Sequence, residues 1–204
     1  MKITKINQQV NRRDRYSIFI DGKYLFSLSE TTQLNQKLFS GQLIDNQQLA
    51  ALIKLSKSDK TYLNALRFVA LRPRSIWELQ DYLKRKQVDE VSSEKILNKL
   101  SDIGLLNDES FAHSWVENRR LLKPSSKRRL SLELRQKRID EQIIQKVLGD
   151  DLVEEQTAIS QLISKKRRQA KYRNDKLKLM QYLSRQGFDY ADIKSALSDK
   201  MLDD

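Results

Sequence analysis

The sequence predicts an all-α protein in which three tandem three-helix repeats follow a small N-terminal β-hairpin and helical extension. Apolar residues recur at helical spacing from residue 59 onward. The 5 Gly and 2 Pro residues are too few for the many turns of a β-sandwich. Similar segments recur about every fifty residues, and repeats of this kind bury their apolar faces against one another. We therefore expect the repeats to form an elongated curved stack.

A β-hairpin is predicted near the N-terminus. Residues 3–6 and 16–28 carry β-type patterns, and Asp21-Gly22 separates two apolar runs, which is the sequence signal of a type I′ turn. An isolated hairpin is only marginally stable in water. This hairpin should therefore pack on the helices that follow it.

Capping and breaking residues delimit the predicted helices. Asp45 and Gln48 form a capping-box pair at one helix start, and Ser75 and Glu78 form another. A separate helix is expected from residue 59 until Pro73 interrupts it. The remaining helices are expected at 32–39, 76–86, from Ser92 or Ser93 to Gly104, 111–122 (opened by Asp108), 127–137, 141–148, 153–172, 175–186 and 190–197.

Three aligned segments place the repeats. Residues 83–88, 134–139 and 183–188 each end a helix in a basic or polar turn that is followed by one apolar residue. A longer helix precedes each segment, and a short amphipathic helix follows it. The alignment divides the chain into an N-terminal hairpin and helical extension (1–58) and three repeats (59–107, 108–150 and 151–204).

The composition argues against catalytic chemistry. The chain has no Cys, its single His113 lies on a predicted helix, and it contains neither a P-loop nor a GxGxxG motif. We therefore expect no enzymatic activity, no metal and no cofactor. The N-terminus lacks the apolar core of a signal peptide, and no segment is long and apolar enough to span a membrane, so the expected location is the cytoplasm.

Basic residues are concentrated in two stretches that contain few acids. The formal net charge of +12 favours a polyanionic partner. Solvated helix faces usually interleave Glu with Lys, whereas Glu133 is the only acid between residues 119 and 138. The alternative is that both stretches are solvated faces without a ligand. The candidate nucleic-acid or filament-binding residues are Arg119, Arg120, Lys123, Lys127, Arg128, Arg129, Arg135, Lys137, Arg138, Lys165, Lys166, Arg167, Arg168, Lys171 and Arg173.

Two further groups of residues accompany these stretches. Tyr172 and Tyr182 have side chains that can stack on bases, although helical spacing favours a core position for Tyr182. Arg12, Arg13 and Arg15 form a basic loop ahead of the hairpin. The first repeat and this loop are the next candidate surfaces if the two stretches do not bind nucleic acid.

Two motifs resemble those of the RecX family of recombinase regulators. Residues 71–83 are similar to the pattern R-x-R-S-x-x-E-L-x-x-x-L, and residues 104–119 are similar to G-L-I-D-D-x-x-F-A-x-x-[WY]. The chain departs from the family pattern at a few turn positions. Asn107 stands in place of a second Asp, Gln87 and Arg138 stand in place of Gly, and a loop Gly expected near Ser126 is missing.

The resemblance implies a regulator of the RecA recombinase. Family members bind the recombinase–DNA filament along its groove and generally suppress ATP hydrolysis, filament growth and strand exchange. The partners that the resemblance implies are the RecA filament and single- and double-stranded DNA, bound by a monomer. The N-terminal hairpin is similar to an extension found in some members.

Two other functions are compatible with the residues. A three-helix unit can serve as a helix-turn-helix in an independent DNA-binding regulator, although the basic residues spread over several units rather than along one reading helix. Charge alone also does not separate DNA from RNA, so an RNA-associated protein is a third interpretation. Sequence-specific binding would favour the first alternative, and a preference for RNA would favour the second.

Overall fold

The computed structural model describes residues 1–149 and 152–199, with the side chains of 152–154 and 199 left out. The strands are β1 (Ile3–Gln8), β2 (Arg15–Ile20) and β3 (Lys23–Ser29). The helices are α1 (Glu30–Asn35), α2 (Asn46–Ala70), α3 (Ile76–Arg85), α4 (Glu90–Asp102), α5 (Asp108–Leu122), α6 (Lys127–Gln136), α7 (Glu141–Gly149), α8 (Leu152–Arg167), α9 (Ala170–Arg173), α10 (Lys176–Arg185) and α11 (Tyr190–Asp199). The expected boundary between residues 150 and 151 lies outside the described residues.

The chain forms two compact units. The first contains residues 1–72 and 82–102, and the second contains residues 73–81 together with the chain from 103 onward. The fold class is confirmed as mostly helical, with three three-helix domains and a small N-terminal antiparallel sheet. No helix in the described part of the chain combines the length and apolar character that a membrane crossing requires.

The N-terminal sheet has three antiparallel strands in the order β1-β2-β3. The predicted hairpin is confirmed, because Asp21 (φ 47°) and Gly22 (φ 79°) join β2 to β3 with the two positive φ angles of a type I′ turn. The residues predicted as an additional β segment form β1, which completes the sheet. One face of the sheet packs on α2. The core between them also includes residues of the intervening segment, and its buried residues are Ile3, Ile18, Ile20, Phe26, Leu28, Leu38, Ile44 and Leu52.

The extension after the sheet differs from the prediction at α1. The helix expected at 32–39 begins earlier, at Glu30 behind its N-cap Ser29, and ends at Asn35. Lys37 adopts a positive φ of 48°, which reverses the chain and buries Leu38 in the core of the sheet. Phe39 consequently lies outside the helix and is exposed.

A single helix, α2, replaces the two helices expected between Asp45 and Pro73. The Asp45–Gln48 capping box is present with both of its hydrogen bonds, and 25 residues of continuous helix follow it. No Gly or Pro interrupts this span. The polar residues near position 59 do not break the helix. Asp59 is buried there and its carboxylate binds groups of the sheet, so this part of α2 packs on the sheet as well.

The N-caps of two helices differ from those expected. Asp89, rather than Ser92 or Ser93, caps α4, because its carboxylate accepts the backbone N–H of Ser92 at 2.9 Å. Asn107, rather than Asp108, caps α5 and accepts the backbone N–H of Ser110 at 2.8 Å. The departure from the family pattern at residue 107 therefore preserves a capping side chain.

The long helix expected at 153–172 is broken. It ends at Arg167, and a one-turn helix, α9, follows after Arg168 and Gln169 leave the helical conformation. The break turns Tyr172 toward the apolar core formed by α8, α10 and α11. The other expected helices of the second and third repeats begin and end within about two residues of the structure.

The three aligned segments form the same turn at the ends of α3, α6 and α10. Gln87 (φ 56°), Arg138 (φ 58°) and Gly187 (φ 90°) all adopt the left-handed conformation. The following amide donates to the carbonyl five residues earlier, from Val88 to Leu83, from Ile139 to Leu134 and from Phe188 to Leu183, as in a Schellman motif. The replacement of Gly at two of the three positions has not changed the turn.

Serine side chains join successive repeats within the second compact unit. Ser75, the N-cap residue before α3, donates its hydroxyl to the carbonyl oxygen of Lys137 at the end of α6, at 3.0 Å. Ser126, the N-cap of α6, donates to the carbonyl of Gln186 at the end of α10, at 2.7 Å. The Ser75–Glu78 capping box is confirmed by both of its hydrogen bonds.

A carboxylate also reinforces each junction, half-buried at Asp108 and buried at Glu155. Asp108 Oδ1 accepts the backbone N–H of Ile76, the first residue of α3, at 2.8 Å. The Glu155 carboxylate accepts the N–H of Lys127, the first residue of α6, at 2.9 Å. Burial raises the pKa of both carboxyl groups, while the N–H donors oppose that shift. The same pair of contacts therefore recurs from one repeat to the next.

Candidate nucleic-acid interface

The first basic stretch, residues 119–138, lies on α5, α6 and the connection between them. Arg119 and Arg129 both contact the Glu133 carboxylate, at 2.8 and 3.3 Å. Arg135 pairs with Glu141 at 2.7 Å. That pairing lowers the pKa of Glu141 and raises that of Arg135, mainly through their side-chain hydrogen bonds. Three of the predicted phosphate-binding arginines therefore already pair with carboxylates, and two of them share the single carboxylate of Glu133.

Trp115 organises part of this stretch. Its indole Nε1 donates to Glu133 at 3.1 Å, and the ring is half-buried against the core of α5, α6 and α7. The Arg119 guanidinium carbon lies 4.7 Å from the centre of the ring, and Lys137 Nζ lies 5.2 Å from it. Lys137 also pairs with Glu78 at 2.8 Å. Trp115 and its cations form a structural cluster that ties α5 to α6.

Arg120 is not a surface residue. Its side chain is only 10% exposed, and it lies 3.5 Å from the Glu155 carboxylate, which is 9% exposed. A cation that is buried beside a buried carboxylate is not accessible to a phosphate at the surface. Arg120 must therefore be removed from the predicted binding residues, and Lys137, half-buried beside Glu78, contributes little exposed charge.

Four basic residues of the first stretch keep a free ammonium or guanidinium group. Lys123, Arg128 and Arg138 are exposed, and Lys127 is half-buried. None of these four side chains has an acidic partner within 4 Å among the residues that the structure describes. They are the remaining phosphate-binding candidates of the second repeat.

The second basic stretch lies on the end of α8 and on α9. Lys165, Arg168, Lys171 and Arg173 are exposed, whereas Lys166 and Arg167 are half-buried. Among the side chains that the structure describes, no carboxylate lies within 4 Å of any of these six cations. The residues that contribute this uncompensated charge, the repeat-three basic cluster, are Lys165, Lys166, Arg167, Arg168, Lys171 and Arg173.

A polar groove of about 700 Å³ adjoins this cluster. It follows one face of α8 and ends at Lys165 and Arg168. The described lining residues also include Gln156, Thr157, Ser160, Gln161 and Ser164, which carry amides and hydroxyls. Two exposed cations therefore stand at one end of a polar groove, and such cations suit the phosphate backbone of a nucleic acid.

The tyrosines of the third repeat lie together. The rings of Tyr172 and Tyr182 are tilted by 56° with their centres 5.7 Å apart. Lys166 Nζ lies 4.5 Å from the centre of the Tyr182 ring and 5.4 Å from that of Tyr172. Both tyrosines are partly buried against the core, which agrees with the packing role that spacing favours for Tyr182.

The basic loop ahead of the hairpin contains one residue that binds inside the protein. Arg15 is 2% exposed and pairs with Asp59 of α2 at 3.0 Å. Its second terminal nitrogen donates to the carbonyl of Ser27 at 2.6 Å. Arg15 is therefore unavailable to a ligand, and only Arg12 and Arg13 remain in that loop. The sequence carries no signal that would predict this contact, because Asp59 lies 44 positions away along the chain.

A three-stranded sheet followed by three three-helix domains defines a class of helical-repeat proteins. Four family models match the chain. They are the regulatory protein RecX N-terminal domain (residues 1–45) and the first, second and third RecX three-helix domains (62–100, 107–148 and 154–197). The chain belongs to the RecX family of regulatory proteins, as its motifs predicted.

Individual relatives agree with this assignment. The regulatory protein RecX of Halalkalibacterium halodurans is 31% identical over 97% of this chain and 77% of its own length. That of Bacillus subtilis is 30% identical over 98% of this chain and 76% of its own length. The matched region spans only 54% of the Lactobacillus gasseri protein and 60% of a Lactobacillus delbrueckii protein, at 31% and 30% identity.

Two solved structures are similar in fold. A crystal structure of regulatory protein RecX has a TM-score of 0.73 at 28% identity and covers 97% of this chain and 98% of the solved chain. The crystal structure of RecX from Lactobacillus salivarius has a TM-score of 0.65 at 27% identity and covers 71% and 97%. The similarity to the first structure extends over the sheet and all three repeats.

Proposed function

We propose that this protein binds the RecA recombinase–DNA filament in the cytoplasm as a monomer and lowers its ATPase activity, its growth and its strand exchange. The family membership supports a regulatory role, and the name of the relatives describes regulation without stating a mechanism. In this proposal the contacts with the filament are made by the three repeats, 59–107, 108–150 and 151–204. The repeats bind protein and DNA with different surfaces.

The repeat-three basic cluster is the observation that carries the proposal. Six cations without nearby carboxylates repel one another, and an anion placed among them relieves that repulsion. Several of them lie near the C-terminus of α8, where the helix dipole stabilises positive charge. The first stretch contributes less, because five of its nine candidates already pair with a total of four carboxylates.

Charge reversal in the repeat-three basic cluster tests the proposal. The double variant Lys165→Glu/Arg168→Glu replaces two exposed cations and should weaken binding to DNA and to the filament, and reduce inhibition of ATP hydrolysis. The plot of log K against log[salt] has a negative slope. Each lost phosphate contact should make that slope shallower by about 0.7 on single strands. Binding can be followed by fluorescence anisotropy, and ATP hydrolysis by recombinase on single-stranded DNA.

A matched control separates local charge from net charge. Lys57 and Lys60 are exposed on α2, so Lys57→Glu/Lys60→Glu changes the net charge by the same amount at another site. We expect this control to bind and inhibit almost like the unmodified protein. Equal losses in both variants, or no loss in either, would reject the basic cluster as the contact. Binding to one DNA sequence far above others would support the helix-turn-helix alternative instead.

A further inference from the structure

The connection between the first and second helices is longer in repeat three than in the other repeats. Residues 71–75 join α2 to α3 and residues 123–126 join α5 to α6, whereas residues 168–175 join α8 to α10. The additional residues form α9, which carries Lys171, Tyr172 and Arg173 in succession. Repeat three therefore contains a basic and aromatic insertion without an equivalent in repeats one and two.

Tyr172 packs on the core of repeat three in addition to the apolar residues of the first helix. Along the first helix, Phe111, Ala112, Trp115 and Val116 of α5 correspond to Ala158, Ile159, Leu162 and Ile163 of α8. Leu162 thus occupies the place of Trp115 and is itself buried. Tyr172 contacts this core from the insertion, where repeats one and two have no residue of α9.

The surroundings of Tyr172 suit a nucleotide. Lys166 Nζ lies 5.4 Å and Lys171 Nζ 5.7 Å from the centre of its ring, so two cations flank an aromatic surface. An unpaired base can stack on such a ring while the cations contact the adjoining phosphates. The bases of a duplex are stacked on one another and present only their edges in the grooves, so they do not reach the ring face.

We propose that the α9 insertion is a base-stacking subsite for single-stranded nucleic acid, in which one unpaired base stacks on Tyr172 and Lys171 and Arg173 contact the flanking phosphates. Lys166 moves from the tyrosine rings to the strand when the base enters. This inference rests on the proposed function, since the same strand runs over the repeat-three basic cluster. The subsite makes the protein distinguish unpaired from paired DNA.

Binding of the full chain to labelled oligo(dT) and to a duplex of the same length tests this subsite. Tyr172→Leu should weaken oligo(dT) binding about tenfold, since stacking on an aromatic side chain contributes about that much per base. Duplex affinity and the salt dependence should stay unchanged, because no phosphate contact is removed. Tyr172→Phe keeps the ring and should bind like the unmodified protein. Tyr190→Leu removes an exposed tyrosine on α11 and is the matched control.

The outcomes separate the subsite from the proposed function. If Lys165→Glu/Arg168→Glu weakens binding but Tyr172→Leu does not, the basic cluster binds DNA and the stacking subsite is wrong. Equal loss on duplex and oligo(dT), or equal loss in Tyr190→Leu, would also overturn the subsite. If Tyr172→Leu fails to fold, photocrosslinking of the unmodified protein to bromodeoxyuridine oligomers decides. We expect a crosslink at Tyr172, and crosslinks found only elsewhere would reject the subsite.

Discussion

At the scale of single residues, the most constrained side chain of the N-terminal unit is Asp59. Its carboxylate accepts hydrogen bonds from the guanidinium of Arg15, from the backbone and hydroxyl of Ser29 and from the hydroxyl of Thr32. These groups belong to β2, to the N-cap of α1 and to α1 itself. One carboxylate in the middle of α2 therefore fixes the sheet and the first helix to the rest of the unit.

Removal of the Asp59 carboxylate should lower the free energy of unfolding. Asp59→Ala leaves the buried Arg15 charge without its partner, and breaking one side of a buried ion pair costs about 3–5 kcal/mol. Urea unfolding followed by circular dichroism measures the loss. Asp14→Ala is the matched control, because its ion pair with Arg67 is exposed on both sides and should contribute less than about 1 kcal/mol.

A double variant checks the physical reason. Arg15→Met/Asp59→Leu replaces the ion pair by apolar side chains of similar size, and such replacements are often neutral or stabilising. We expect it to recover most of the stability that Asp59→Ala loses. If the double variant is as unstable as Asp59→Ala, the hydrogen bonds to Ser29 and Thr32 would matter more than the unpaired charge.

At the scale of elements, the turns after α3, α6 and α10 place the short third helix of each repeat. Left-handed backbone costs an ordinary residue about 1–2 kcal/mol, and glycine adopts it almost freely. Gln87 and Arg138 therefore carry strain that Gly187 lacks. Gly187 is additionally restricted, because a Cβ atom at that position would lie 2.8 Å from the Ser126 hydroxyl oxygen that binds the carbonyl of Gln186.

Glycine substitutions should thus have opposite signs at neighbouring positions. Arg138→Gly and Gln87→Gly should each raise the free energy of unfolding by about 1 kcal/mol. Gln136→Gly lies in right-handed helix two residues before Arg138 and should lower it by about the same amount. Gly187→Ala should also lower it, through both backbone strain and the Ser126 contact. Urea unfolding measures all four variants, and a loss of stability in Arg138→Gly would contradict the argument.

At the scale of the whole molecule, α2, α5 and α8 each carry a carboxylate that binds a helix N-terminus in the part of the chain before it. Asp59 accepts the N–H of Ser29, Asp108 that of Ile76 and Glu155 that of Lys127. Each acceptor lies near the positive end of a helix dipole. The same type of contact, a carboxylate that accepts a backbone N–H at the start of a helix, therefore recurs at three places along the chain.

Asp108 should make stability depend on pH. Burial raises its pKa, so the folded protein favours the protonated acid. The stability that this raised pKa contributes is fully present below the pKa of Asp in the unfolded chain, about 3.9. It is lost as the pH rises through the higher pKa of the folded protein. Relative to Asp108→Asn, the unmodified protein should lose stability over that interval. Urea unfolding at a series of pH values, followed by tryptophan fluorescence, measures the difference.

Asp89 provides a control of opposite sign. Its exposed carboxylate caps α4, and the hydrogen bond from Ser92 lowers its pKa. The contribution of Asp89 is present above the unfolded pKa and is lost as the pH falls through the folded value. Relative to Asp89→Asn, the unmodified protein should therefore gain stability as the pH rises. Slopes of the same sign in both comparisons would mean that burial does not dominate at Asp108.

The sequence by itself determined the features that depend on neighbouring residues. The type I′ hairpin, the capping boxes before α2 and α3, the proline stop at Pro73 and the three aligned turns all rest on contacts within about six positions along the chain. Helical periodicity likewise predicted the repeats, and two local motifs predicted the family. The extent of α2 and the break before α9 were missed, because packing on the sheet and on the third core overrode local preference.

Only the tertiary structure decided which basic residues are free. The sequence placed Glu133 as the sole acid in the first stretch, but the partners of Arg120 and Lys137 are Glu155 and Glu78, 35 and 59 residues away. The repeat-three basic cluster kept its charge because the described fold brings no carboxylate to it. Ion pairing depends on distance in space, and side chains that are distant along the sequence become neighbours only when the repeats pack together.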